Sequence, residues 1–237
     1  MKLRTALSLA ALGLAVTTAH AAVIGQLGIL DDTANGGINP ATGAAWAPGD
    51  TYRLVFVTST TRDGTSANIA DYNTFVQSAA ASAGYGGVTW NMIGSTLTVD
   101  ARDNTGTNPG TDGTGVGIFL MDGITIVAEN NADLWNGVAS NINLNESGVF
   151  VDSATLSGTN NDGTAHPDQY LGEALGGNYQ NGHTNKPISR WIVQFNTGQS
   201  TSLPGYALSQ ELTVVPEPST GLLGGLAGLF LLRRRRK

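Results

Sequence analysis

Two short apolar segments at the extreme ends of this 237-residue chain confine any fold to the stretch between them. At the N-terminus, Lys2 and Arg4 precede an uncharged run from Ala6 to Val16. Ala19-His20-Ala21 follows, with small residues at both positions of an A-x-A cleavage site. That order of charge, apolar run and cleavage site is the order of a secretory signal peptide, and the run is shorter than the ~20 residues of a membrane span. The mature chain is expected to start near Ala22. At the other end, Val215-Pro216-Glu217-Pro218-Ser219-Thr220 leads into uncharged Gly221 to Leu232, then Arg233, Arg234, Arg235, Arg236 and Lys237. Each proline lacks an N–H and stops a preceding strand or helix. The basic cluster is expected to stay on the cytoplasmic face. A helix over residues 221–232 is only ~18 Å long against ~30 Å of hydrocarbon. Ser219 and Thr220 can lengthen it and the arginines can snorkel, which suits transient anchoring through a short transmembrane helix.

Pro216-Glu217-Pro218, the short Gly/Leu-rich span and the terminal basic cluster together resemble the PEP-CTERM sorting signal. The resemblance implies export across the inner membrane, transient membrane anchoring, and processing near Pro216 by an exosortase. It further implies delivery to the cell surface or extracellular matrix, in a setting of biofilm and exopolysaccharide production. The chain therefore divides into a signal peptide (1–21), an exported body (22–215) and a sorting and anchor segment (216–237).

Removing the ends changes the charge. The whole chain is −6, but seven of its twelve basic residues lie in the two end segments. The body keeps Arg53, Arg62, Arg102, Lys186 and Arg190 against seventeen acids, a formal charge of −12. Such a surface repels phosphate backbones, so no nucleic acid is expected as a partner. The chain has no cysteine, which removes disulfides, thiol nucleophiles and cysteine metal sites. About 194 residues are enough for one core without such staples.

Within the body, Val23 to Leu30 reads as a first strand. Tyr52 to Ser59 is the clearest strand, β-branched and aromatic enough to be buried on both faces. Asn68 to Ala83 reads as the main helix. Asn68 is its N-cap, Asp71 lies in the first turn, and Ile69, Tyr72, Phe75, Val76, Ala79, Ala80 and Ala83 share one face, with Gly84 as the stop. Short strands are expected in 88–99 and on both sides of the Asp122-Gly123 turn, with others at Val149–Val151, Ser189–Asn196 and Tyr206–Val214. Residues 100–117 and 157–187 read as loops. This order predicts an α+β domain with one main helix, short antiparallel strands and long loops, the alternative being an all-β sandwich.

Tyr52–Ser59 followed by Asn68–Gly84, then Asp133-Leu134-Trp135-Asn136-Gly137, Leu144–Gly148, the 157–163 loop and Trp191–Phe195, resemble an exported bacterial branch of the C-type-lectin-like fold. The resemblance implies paired terminal strands, a helix after the first strand and a ligand-bearing loop region over about 50–214. The family's Glu-Pro-Asn sugar motif is absent, so its sugar site does not carry over.

Candidate chemistry is sparse. His166 and His183 lack zinc spacing, and no serine sits in a Gly-x-Ser-x-Gly frame. The body glutamates Glu129, Glu146, Glu173 and Glu211 form no recognisable acid–base pair. Asp100, Asp103 and Asp112, interleaved with Asn104 and Asn108, offer hard oxygens for calcium, with Asn160–Asp162 as a second cluster. The same residues also make ordinary turns. Trp135, between Asp133 and Asn136-Gly137, is the best candidate for an exposed ring that stacks a sugar, with a core place as the favoured reading. The expected protein is a non-enzymatic surface or matrix component, sorted by an exosortase, that binds extracellular polysaccharide or another matrix component. A secreted polysaccharide hydrolase and a purely structural matrix protein are the alternatives.

Overall fold

The run Thr51–Val57 is buried along almost its whole length and forms the centre of the larger of two sheets. The computed structural model describes residues 23–173, 177–186 and 188–216. Ten strands lie among them: β1 (Val23–Gly25), β2 (Thr51–Val57), β3 (Trp90–Met92), β4 (Ile118–Leu120), β5 (Ile126–Ala128), β6 (Ala154–Leu156), β7 (Asn178–His183), β8 (Phe195–Gly198), β9 (Tyr206–Ser209) and β10 (Leu212–Pro216). The helices are α1 (Ile69–Ser82), α2 (Ala101–Asn104) and α3 (Asn131–Leu134). The body is thus β-rich with one long helix, and no described helix is long and apolar enough to cross a membrane.

Seven strands form one sheet, in which β1, β10, β2, β4 and β5 are successive neighbours and β9 links β2 to β3. The sheet is mixed. β2 and β4 run parallel, with Arg53 opposite Ile118 and Val55 opposite Leu120, so the expectation of antiparallel strands alone is corrected. Parallel neighbours need a crossover, and residues 58–117, carrying α1, supply it. On its other flank β2 meets two partners. Tyr52 pairs with Leu212 of β10, and Val55–Val57 pair with β9. The single terminal strand expected over Tyr206–Val214 is therefore broken. At the break, the Ser209 hydroxyl accepts the Leu54 N–H at 3.0 Å.

β2 divides the core. Tyr52, Leu54 and Phe56 pack with α1 residues Tyr72, Val76 and Ala80, while Val55 and Val57 pack on the opposite face with Ile118, Leu134 and Trp191. The Asn68 side chain accepts the Ala70 N–H at the start of α1, and Gly84 follows the helix at φ +93°. The helix also closes the outer edge of β3. Asn73 Oδ1 accepts Met92 N–H at 2.8 Å, and Gln77 Oε1, one turn on, accepts Trp90 N–H at 2.9 Å. An open strand edge invites pairing with another chain, and these two amides occupy it.

The smaller sheet is β6-β7-β8, all antiparallel. It corrects two expectations. Residues 157–187 hold β7 rather than loop alone. Ser189–Trp191 is a turn of 3-10 helix, so the strand expected over Ser189–Asn196 begins only at Phe195.

Candidate functional site

A short hairpin stands out from the loop before β2. Ile38 and Ala45 bridge, Asn39 N–H donates to Ala44 O at 2.7 Å, and Gly43 N–H returns to Asn39 O at 2.8 Å. Asn39 is 5% exposed and its Oδ1 accepts Ala41 N–H, so the tip is braced from within. Trp46 pins the base. Its ring lies edge-on to Tyr52 at 6.2 Å and tilted against Phe119 at 5.9 Å. Close approach to the sheet also requires Gly117, where a Cβ would lie 2.7 Å from Ala41 Cβ.

Two clefts flank this hairpin. One, of about 410 Å3, is lined by Asp31, Ile38, Pro40, Trp46 and the β4–β5 turn at Gly123–Thr125. The other, of about 580 Å3, is lined among others by Asn39, Thr42, Asp50, Thr114, Glu129 and Asn130. Neither cleft is lined by a lysine, arginine or histidine. Asp50 is held by the Ala47 N–H at 2.8 Å, and the Glu129 backbone is held by Asp133 at 2.8 Å. Asn130 caps α3 by accepting Asp133 N–H. The larger cleft therefore offers carboxylate and amide oxygens on a braced backbone, in a surface without positive charge. Such a set accepts hydrogen bonds from hydroxyls.

The structure scatters the residues expected to act. Asp100 precedes α2 and accepts the Ala165 N–H at 2.8 Å, tying down the second Asp/Asn-rich loop. Its other oxygen lies 3.6 Å from Arg102. Asp103 and Asp112 do come together, through Asn108, whose side-chain amide donates to Asp103 and whose N–H donates to Asp112. Burial raises the Asp162 carboxyl, but hydrogen bonds from Thr164 and the Arg102 charge outweigh it and leave it below its ordinary value. Between the two loops, then, Arg102 supplies the positive charge. Among the described residues no three carboxylate or imidazole side chains are grouped to hold a metal ion.

Trp135 takes the core place favoured for it over the role of a sugar-stacking platform. It is 6% exposed, its indole N–H donates to Thr107 at 3.1 Å, and its ring packs against Trp191 at 6.1 Å. Glu146 is buried, with its carboxylate taken by the Ser59 N–H and hydroxyl. Glu211 lies 3.9 Å from Arg53. Of the four body glutamates, Glu129 alone lines a cleft described here. Pro216 ends β10, while Glu217, Pro218 and Arg233 to Lys237 lie outside the described residues. Sequence reasoning passed over Asp50, Asn130 and Trp46. The available signal was Trp46 itself, a tryptophan in an Ala/Pro/Gly loop with no apolar run around it.

The fold and clefts define a β-rich body with an acidic, open surface groove, carried on a chain with a C-terminal address. Residues 214–237 match the PEP-CTERM protein-sorting motif. That match supports an exported protein recognised by an exosortase and sorted to the cell surface. No curated protein matches the chain.

Proposed function

We propose that the body is a non-catalytic carbohydrate-binding module of an exported surface protein, and that the larger cleft beside the 38–45 hairpin holds a neutral, hydroxyl-rich polysaccharide of the extracellular matrix. The observation that carries the reading is the lining of that cleft. Asp50, Glu129, Asn39 and Asn130 offer oxygen acceptors and amide groups, and no cation is present to hold an acidic sugar. Trp46 borders the adjoining cleft but, 6% exposed and packed on Tyr52 and Phe119, it shapes the hairpin rather than presenting a ring face to the sugar. An α+β, lectin-like assignment of the body fits the same picture. Its first and last strands pair, its long helix follows the central strand, and the region between carries loops. Sorting to the cell surface supports a role for the module at such a polymer, and transient contact with the membrane on the way belongs to the same reading.

Co-sedimentation of the purified protein with the source cell's exopolysaccharide, in calcium and in chelator, tests the reading. Binding in both conditions is expected, because the cleft's own groups suffice. Loss in chelator would return the ligand to a calcium-assisted site at Asp100, Asp103 and Asp112. No binding in either condition would leave a structural matrix protein. One observation favours a second reading. Asp50 and Glu129 line the same cleft, as the carboxylates of a glycoside hydrolase do. Release of reducing ends during the same incubation would select that hydrolase.

A further inference from the structure

The two ends of the described body are zipped to one another. β1 pairs antiparallel with β10, so that Val23 lies opposite Pro216, Ile24 opposite Val215 and Gly25 opposite Val214. Val23 is the second residue after Ala-His-Ala, the expected cleavage site, and Pro216 is the first residue of the Pro-Glu-Pro sorting motif. β10 is gripped from both sides. Val214 N–H donates to Asp50 O and Gly49 N–H donates to Val214 O, each at 2.8 Å. Backbone groups alternate along a strand, so those of Val215 face β1. Beyond β1, the Gln26 side chain accepts the Thr213 N–H at 3.3 Å. Burial ends where the motif begins: Leu212 and Val214 are at most 1% exposed, Val215 is 39% exposed, and Pro216 is exposed.

We infer that β1 is a clasp that keeps residues 212–215 in the sheet and confines processing of the tail to bonds after Pro216. A processing enzyme takes its substrate as an extended strand with free backbone groups. A segment paired on both sides has none to offer. In the step itself the peptide C–N bond breaks and the carbonyl carbon is taken by the oxygen of water or by an acceptor hydroxyl or amine. The nucleophile's proton passes to the leaving amine. The clasp forms from the strand that signal-peptide removal frees, so the new N-terminus guards the new C-terminus. Gly25 is the contact that admits β1. A Cβ there would run into the Tyr52 hydroxyl and would lie 2.7 Å from Leu30 Cβ.

The inference rests on the tail being a processed sorting signal, and the experiment separates the two. The protein is recovered from the source cell surface, and the intact mass of its C-terminus is read for wild type, Ile24→Pro and Gly25→Val. Amide exchange across 212–216 shows whether β10 has frayed, and a melting curve shows that each variant is folded. The wild type is expected to end at or shortly after Pro216, well short of Lys237, as a single species. The variants are expected to show faster exchange at Val215 and a mass ladder shortened into 212–216. A wild-type end before Val215 overturns the clasp. So does a variant with frayed β10 and an unchanged C-terminus. Should Ile24→Pro and Gly25→Val fail to fold, the wild-type end alone still decides. A tail retained in full on surface protein overturns the sorting reading and the clasp with it.

Discussion

Asn73 holds more of this fold than its polarity suggests. Its Oδ1 accepts from Met92 N–H, and its Nδ2 donates to Asn104 Oδ1 at 2.8 Å, with a return bond from Asn104 Nδ2 at 2.9 Å. Truncation leaves a strand N–H and a partner amide short of bonds inside the protein. Asn73→Ala is expected to cost ~1–3 kcal/mol in a urea or guanidinium titration. An unchanged midpoint would mean that water replaces the amide without loss. Trp135→Phe removes the indole donor to Thr107 and is also expected to lower stability, but to leave polysaccharide binding intact, because the ring is core. The core place of Trp135 was the favoured sequence reading, but the role of Asn73 was not legible. An asparagine on a helix face reads as solvated until the strand it seals is known. The aspartates of 100–112 read as one cluster because spacing along a loop does not reveal direction. In the fold Asp100 serves Ala165 while Asp103 and Asp112 serve Asn108.

Among the elements, the two with the longest apolar patterns were legible, while the apolar run at 189–196 misled and the amide-built β7 was hidden. β2 and α1 lie within a residue or two of where β-branching, periodicity, cap and stop residues put them. β7 is Asn-Tyr-Gln-Asn-Gly-His, with no alternation to read. Its amides do the pairing that packing does elsewhere. Gln180 Nε2 donates to Phe195 O at 2.7 Å, Asn181 Oδ1 accepts Phe195 N–H at 3.0 Å, and Asn181 Nδ2 donates to Thr197 Oγ1. The 38–45 hairpin was likewise hidden, since it is held by one ring. Trp46→Ala is expected to cost ~3–5 kcal/mol and to undock the hairpin, abolishing both clefts. Loss of binding with stability unchanged would show instead that Trp46 only touches the ligand.

Over the whole molecule, buried phenols set the alkaline limit. Burial pushes the Tyr52 hydroxyl up to about 12 from an ordinary value of 10.0, and raises Tyr72, Tyr179 and Tyr206 as well. The folded state thus favours the neutral phenol. That contribution is intact below pH 10 and is lost as the pH rises from 10.0 through about 12. The denaturation midpoint should fall steeply across that interval, with tyrosinate absorbance appearing together with unfolding. Early, graded ionisation without unfolding would place the phenols in water.

The −12 body and the cation-free cleft together support the proposal that this surface takes a neutral polymer. Calorimetric titration of the purified protein with the source cell's exopolysaccharide tests it most directly, comparing wild type with the double variant Asp50→Asn and Glu129→Gln. Saturable heat in the wild type, lost in the double variant at unchanged melting temperature, is the predicted result. Equal heat in both, or none in the wild type, would contradict it.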